Sequence, residues 1–222
     1  MYIQYERLSL VHAPVNIEYT ACMSINSPKR SYRKTTRAKQ EEQTRRRITE
    51  AVVELHRTVG PAQTTISDIA NLAGVGRVTV YKHFPDDSAM FRACSDHWIA
   101  DNPPPDFAQA LAEPDELKRA ACVLRLLYDY YRRTYDMMGK VMRDAKTMPA
   151  LADVVENGWM QLLQSLEDAL VPEGKLGANA KPYRATLRVA MDIDTWSTIS
   201  EMGIDDRSAA ELVCQWLKKA RA

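Results

Sequence analysis

Seven consecutive residues, Arg77-Val-Thr-Val-Tyr-Lys-His83, set two cations, two hydroxyls and an imidazole beside two apolar valines. Such groups donate to phosphate oxygens, and Arg77, Val78, Thr79, Tyr81, Lys82 and His83 include side chains able to touch the edges of bases. The same chemistry continues upstream. Nine Lys/Arg lie between Lys29 and Arg47, and residues 28–92 carry 13 Lys/Arg against 7 Asp/Glu, whereas residues 93–222 carry 16 against 20. A net charge of +1 over 222 residues therefore conceals one basic segment with the composition of a polyanion-binding surface.

Other chemistries have weaker support. Asp192 and Asp194 form a carboxylate pair in sequence, but i and i+2 on a helix point about 200° apart, which does not suit a shared metal or proton. His12, His56, His83 and His97 have no carboxylate or cysteine at ligand spacing, and Cys22, Cys94, Cys122 and Cys214 form no CxxC. There is no G-x-S-x-G, Walker or GxGxxG loop. Neither a catalytic site nor a metal or cofactor is expected, and the chain reads as a non-enzyme. No stretch approaches the roughly 18 apolar residues of a membrane span, and the first residues lack the order of a signal peptide. A cytoplasmic protein without a membrane partner is the expectation, with reduced thiols.

The elements that would position the basic heptad are helices. Ile48, Ala51, Val52, Leu55 and Val59 recur in steps of three and four, predicting a helix from Glu41 that Gly60-Pro61 ends. Thr65-Ile-Ser-Asp68 reads as a variant capping box opening a second helix, whose inner face is Ile66, Ile69, Ala70 and Ala73 and which Gly74 closes. Ala70, Gly74 and Val80, at offsets 0, 4 and 10, have the spacing of a helix-turn-helix: a close crossing, a turn and a buried anchor. The second helix of that unit, Arg77 to His83, is short because one or two turns fill a major groove, and Phe84-Pro85 stops it. A helix over Ser88–Ala100 follows, ended by the proline run 103–105, which marks a domain boundary.

Beyond the boundary, Leu117, Ala121, Leu124, Tyr128, Tyr131 and Tyr135 form a long stripe, and further helices are predicted at about 137–147, 150–170, 181–202 and 206–221. The fold class is all-α. Residues 1–39 form an extension, expected to be disordered, with a basic arm at 29–39 and a second methionine, Met23, as an alternative start. Residues 40–101 form a three-helix DNA-binding domain with its connecting helix, and 102–222 a second helical domain.

Thr65-Ile-Ser-Asp-Ile-Ala70, Ala73-Gly-Val75, Thr79-Val-Tyr-Lys-His-Phe84 and Met90-Phe91 together resemble the amino-terminal region of the TetR family of bacterial transcriptional regulators, over about residues 43–95. The resemblance implies a homodimeric repressor that binds double-stranded DNA at a palindromic operator and releases it when a small effector enters the second domain. It implies phosphate contacts from Thr65, Tyr81 and Lys82, and a core anchor at Phe84. Gly76 departs from the family, which usually has a capping Ser there, and so does Val78, where a small residue is common. In the family the last two helices of each protomer form a four-helix bundle; Leu187, Met191, Trp196, Ile199, Leu212, Val213 and Trp216 supply apolar faces for one.

An apolar or aromatic effector is expected, contacted by Trp98, Leu124, Tyr128, Tyr131, Met138, Met142, Trp159 and Leu163, with Tyr hydroxyls orienting it and Arg125 and Arg132 flanking. Two other functions fit the same residues. An effector-independent or architectural DNA-binding protein would not be released by ligand, and an all-helical enzyme with dispersed residues would show turnover.

Overall fold

The computed structural model describes residues 28–172, 174 and 176–221, with side chains from Thr36 onward. The expectations on residues 1–27, including Met23, lie outside them. The described residues fall into two units divided after Gln40. Every described element is helical: α1 (Pro28–Thr58), α2 (Ile66–Ala73), α3 (Arg77–His83), α4 (Asp87–Asp101), α5 (Ala108–Leu111), α6 (Glu116–Ala145), α7 (Pro149–Val155), α8 (Gln161–Leu170), α9 (Ala180–Met191), α10 (Ile193–Glu201) and α11 (Asp206–Arg221).

Helix α1 begins thirteen residues before the expected Glu41, so the basic stretch 29–39, expected to be disordered, is helical. Pro28 suits a first helical position, and nothing after it as far as Thr58 is Gly or Pro. α2 starts on a formed capping box: the Thr65 hydroxyl accepts from the Asp68 N–H at 3.2 Å, and the Asp68 carboxylate takes the Thr65 N–H at 3.1 Å. Asp86 caps α4 by accepting from the Ala89 N–H at 2.7 Å.

Two expected boundaries are corrected. The stripe through Tyr135 and the helix at 137–147 are one helix, α6, of 30 residues and about 45 Å. Its Gly139 costs about 1 kcal/mol against Ala but removes no hydrogen bond, and the Tyr135 ring lies over it, 3.0 Å from where a Cβ would stand. Conversely, the helix predicted over 181–202 is two. Asp192 takes the N–H groups of Asp194 and Thr195 at 2.8 and 3.2 Å, capping α10 at the cost of continuity with α9. Asp194 turns to Lys146 at 3.3 Å, so the two aspartates do not share a ligand site.

Two hydrophobic clusters fill the unit 41–222. One joins Ile48, Val52, Ile69, Ala70, Val80, Phe84, Met90 and Cys94 with Met137 of α6. The other joins Leu124, Leu127, Tyr128 and Tyr131 of α6 with Leu166, Leu187, Met191, Trp196, Val213 and Leu217. The core changes near the proline run, but α6 enters both clusters. Leu187, Met191, Trp196, Ile199 and Val213, expected on a dimer face, are buried within the protomer; of that set Leu212 and Trp216 look outward.

Candidate functional site

The basic heptad is α3, and its position follows from three residues. Gly74 adopts φ 64°, the left-handed conformation that closes α2 without strain, and the Val75 N–H returns to the Ala70 carbonyl at 3.0 Å. Val80 is fully buried and Phe84 nearly so, which fixes one side of α3 in the core. Arg77, Val78, Tyr81 and Lys82 then face outward, Val78 with 83% of its surface exposed, while Thr79 and His83 are half-buried. Gly76 caps α3 with no side-chain hydrogen bond.

Arg45 of α1 fastens the end of this helix. Its Nη1 donates to the His83 carbonyl at 2.7 Å, and its guanidinium stands 4.3 Å from the Phe84 ring centroid. Local sequence offers no sign of this pairing, because the partners are 38 residues apart. Two expected phosphate contacts are engaged elsewhere. Lys82 pairs with Glu41 at 3.3 Å, an exposed bridge worth little that a phosphate readily displaces. The Thr65 hydroxyl donates to Asp68 at 2.6 Å within the cap.

The helices of the first cluster are joined to α6 by polar contacts. The buried carboxylate of Asp144 accepts from the Ala62 N–H at 2.9 Å and from Arg143 Nε at 2.7 Å. Burial pushes this carboxyl up, but these hydrogen bonds and the Arg143 charge outweigh it and hold it below the usual carboxylate range. Arg57 pairs with Asp136 at 2.9 Å.

A cavity of about 290 Å³ lies between α1, α4, α6 and α7, bordered by Gly158 and Trp159 of the π turn Glu156–Met160. Trp98, Met138, Met142 and Trp159, four of the side chains expected to contact an effector, line it together with His56, Phe91, Cys94 and Tyr130, which sequence reasoning did not select. His56 stands four residues after Val52 on the apolar face of α1, and that spacing was the available signal. A neighbouring cavity of about 350 Å³ is lined by Tyr131, Leu163, Glu167 and Arg188 and shares Met142 and Trp159 with the first.

Other expected effector contacts are reassigned. Leu124 and Tyr128 line neither cavity and are wholly buried. The hydroxyls of Tyr128 and Tyr131 donate to the carbonyls of Ala190 and Met191 at 2.7 and 2.6 Å, satisfying the buried carboxyl end of α9. They hold the break at Asp192 and are not free to orient a ligand. Arg132 forks onto Asp206 at 2.7 Å through both Nε and Nη2, and Arg125 borders a small hollow with Arg207 and Glu211; neither flanks the cavity.

His56 gives the cavity wall a measurable signature. Its Nδ1 is 3.4 Å from Cys94 Sγ, and burial pushes the imidazole down to about 4 against the opposing pull of Asp144. Burial pushes the Cys94 thiol up to about 12, so both groups are neutral near pH 7. The unfolded chain binds a proton on His56 near pH 6.5 that the folded chain refuses, so this contribution is full above that pH and lost as pH falls toward 4. The gap corresponds to about 3 kcal/mol. The urea midpoint should fall between pH 7 and pH 4.5, and a His56→Gln variant should lose less over that window. Identical pH dependence in both proteins would exclude His56 as the buried base.

Residues 48–94 match the family model described as bacterial regulatory proteins, tetR family. This segment, the head of the molecule from Ile48 to Cys94, is what the chain shares with that family. Over 98 residues the chain is 37% identical to the probable HTH-type transcriptional regulator ArpR of Pseudomonas putida, and 36% to the HTH-type transcriptional regulator TtgR of a strain of the same species. Each match spans 43% of this chain and 45% of the relative, so the likeness covers less than half of either. A transcriptional regulator from a Rhodococcus species shares the fold, with a TM-score of 0.55 and 17% identity over 79% of this chain and 95% of that one. That likeness extends the all-helical architecture from the TetR-type head into the second cluster.

Proposed function

We propose that this protein is a DNA-binding transcriptional regulator, a homodimeric repressor of the cytoplasm that grips a palindromic operator and releases it when a small apolar or aromatic effector enters the cavity beside Trp98. The observation that carries the reading is the presentation of α3: a seven-residue helix anchored by Val80 and Phe84, with Arg77, Val78, Tyr81 and Lys82 outward. Arg77 and Lys82 donate to phosphates or guanine edges, Val78 meets thymine methyls, and Tyr81 offers a hydroxyl.

Release follows from the shared wall. Phe91, Cys94 and Trp98 line the cavity on α4, while Met90 and Cys94 of that helix also sit in the head core. An occupant that fits one α4 position alone draws the dimer from the spacing that matches the operator. Taking that equilibrium from 1:99 to 99:1 requires about 5.5 kcal/mol of differential binding.

Selection of bound sequences from a random duplex pool tests the reading: a two-fold symmetric site should emerge, and no enrichment would overturn it. Lys82→Ala should weaken every duplex alike and lower the salt slope by about one contact per protomer, because a phosphate contact carries no sequence information. A change in site preference instead would move Lys82 to the bases.

A further inference from the structure

We infer that the cavity between α4, α6 and α7 selects a neutral, flat, largely apolar molecule bearing one hydrogen-bond acceptor, and that the acceptor takes the indole N–H of Trp98. This inference rests on the reading of that cavity as the effector site.

The walls set the charge of the occupant. Among the described residues no Asp, Glu, Lys or Arg lines the cavity, and its one imidazole, His56, is buried beside the Cys94 thiol in the neutral form. A charged ligand would lose its hydration with no counter-charge to meet it. The aromatic wall sets the shape. Tyr130 stacks on Trp159 with centroids 5.3 Å apart, and Gly158 of the π turn lines the cavity without a side chain. A π turn places one residue out of helical register, and here it brings Gly158 and Trp159 to the wall.

The polar groups of the wall set the hydrogen bond. The Tyr130 hydroxyl donates to the Asn102 carbonyl at 3.1 Å. The Trp159 N–H has the Tyr131 hydroxyl near it, outside hydrogen-bond geometry. Trp98 Nε1 is buried with no protein acceptor among the described residues. A buried donor without an acceptor is costly, and a small turn of the indole, whose ring lines the cavity, brings it to a ligand carbonyl or ether oxygen that recovers that cost. The position matters as much as the bond, because Trp98 stands on the helix that also carries Met90 and Cys94 of the head core. An acceptor bound there acts on α4 directly.

Four naphthalenes of similar shape test this with the full-length protein, by calorimetry: 2-acetylnaphthalene, 2-isopropenylnaphthalene, 2-naphthoate and 2-naphthylmethylammonium. The ketone should bind about 10-fold tighter than the hydrocarbon and tighter still relative to both ions. Trp98→Phe keeps the ring and removes the donor. It should bring ketone and hydrocarbon within about twofold of each other, whatever the smaller ring does to both affinities, whereas Trp159→Phe should preserve the preference. Equal binding of ketone and hydrocarbon by the unmodified protein overturns the inference with no variant needed. So does a preference that survives Trp98→Phe, one that is lost in Trp159→Phe alone, or tightest binding of either ion; in all these cases the cavity remains a ligand site. Binding of none of the four removes the effector-site reading itself, and this inference with it.

Discussion

Glutamate at both Leu212 and Trp216 should convert the proposed homodimer into a monomer of 25.2 kDa by sedimentation. Helix α11 has two faces with different duties. Ala209, Ala210, Val213 and Leu217 are buried against the protomer's own core, whereas Leu212 and Trp216, four residues apart, keep 39% and 36% of their surface exposed. Residues i and i+4 form one ridge on a helix. In a two-fold interface the same ridge meets its copy or a neighbouring helix, so four carboxylates would enter a patch suited to apolar contact. Because neither side chain belongs to the inner face, the thermal midpoint of the protomer should change little. Affinity for a palindromic duplex should nevertheless fall by roughly 100-fold or more, since the second head would lose its effective concentration at the half-site. A variant that stays dimeric, with palindrome binding intact, would place the interface elsewhere. Truncation of α11 is a poorer test, because it also removes Val213 and Leu217 from the protomer core.

The parts of the molecule that were legible in sequence are those fixed by neighbours in the chain. The Thr65 cap, the Gly74 turn, the seven-residue span of α3 and the stop at Phe84-Pro85 each depend on groups a few residues apart, and each stands where the spacing put it. The apolar period falters at the break between α9 and α10, where Met191 to Trp196 is a step of five, but one irregular step does not separate a bend in a single helix from two helices. What decides it is a side-chain cap from Asp192 together with two tyrosine hydroxyls about 60 residues away on α6. The cavity divided in the same way. Met138, Met142 and Trp159 were found as large adaptable side chains, but Tyr130, which lines the cavity, falls outside the apolar stripe, while Tyr128 within the stripe lines no cavity. Distant partners also moved Arg132 from ligand to Asp206 and tied Arg45 to the end of α3.

The contrast between Phe84 and Val78, six residues apart at the two ends of the recognition element, yields the largest stability effect expected in the head. Phe84 keeps 2% of its surface exposed, contacts the cluster of Ile48, Val52, Ile69 and Val80, and supports the Arg45 guanidinium. Removing a buried aromatic ring costs about 3–5 kcal/mol, from lost transfer energy and the cavity left behind. Phe84→Ala should therefore lower the urea midpoint sharply and also loosen α3, because Arg45 loses the ring that orients its bond to the His83 carbonyl. DNA binding should weaken for every sequence, as it does when a helix is mispositioned rather than stripped of a base contact. Val78→Ala should do the reverse: with 83% of Val78 exposed, stability should change by less than about 0.5 kcal/mol while the preferred bases shift. Urea titration and duplex selection on both variants separate the roles. A Phe84→Ala protein as stable as the parent would mean that α3 is held by other contacts, and an unchanged site preference in Val78→Ala would turn that face of α3 away from the bases.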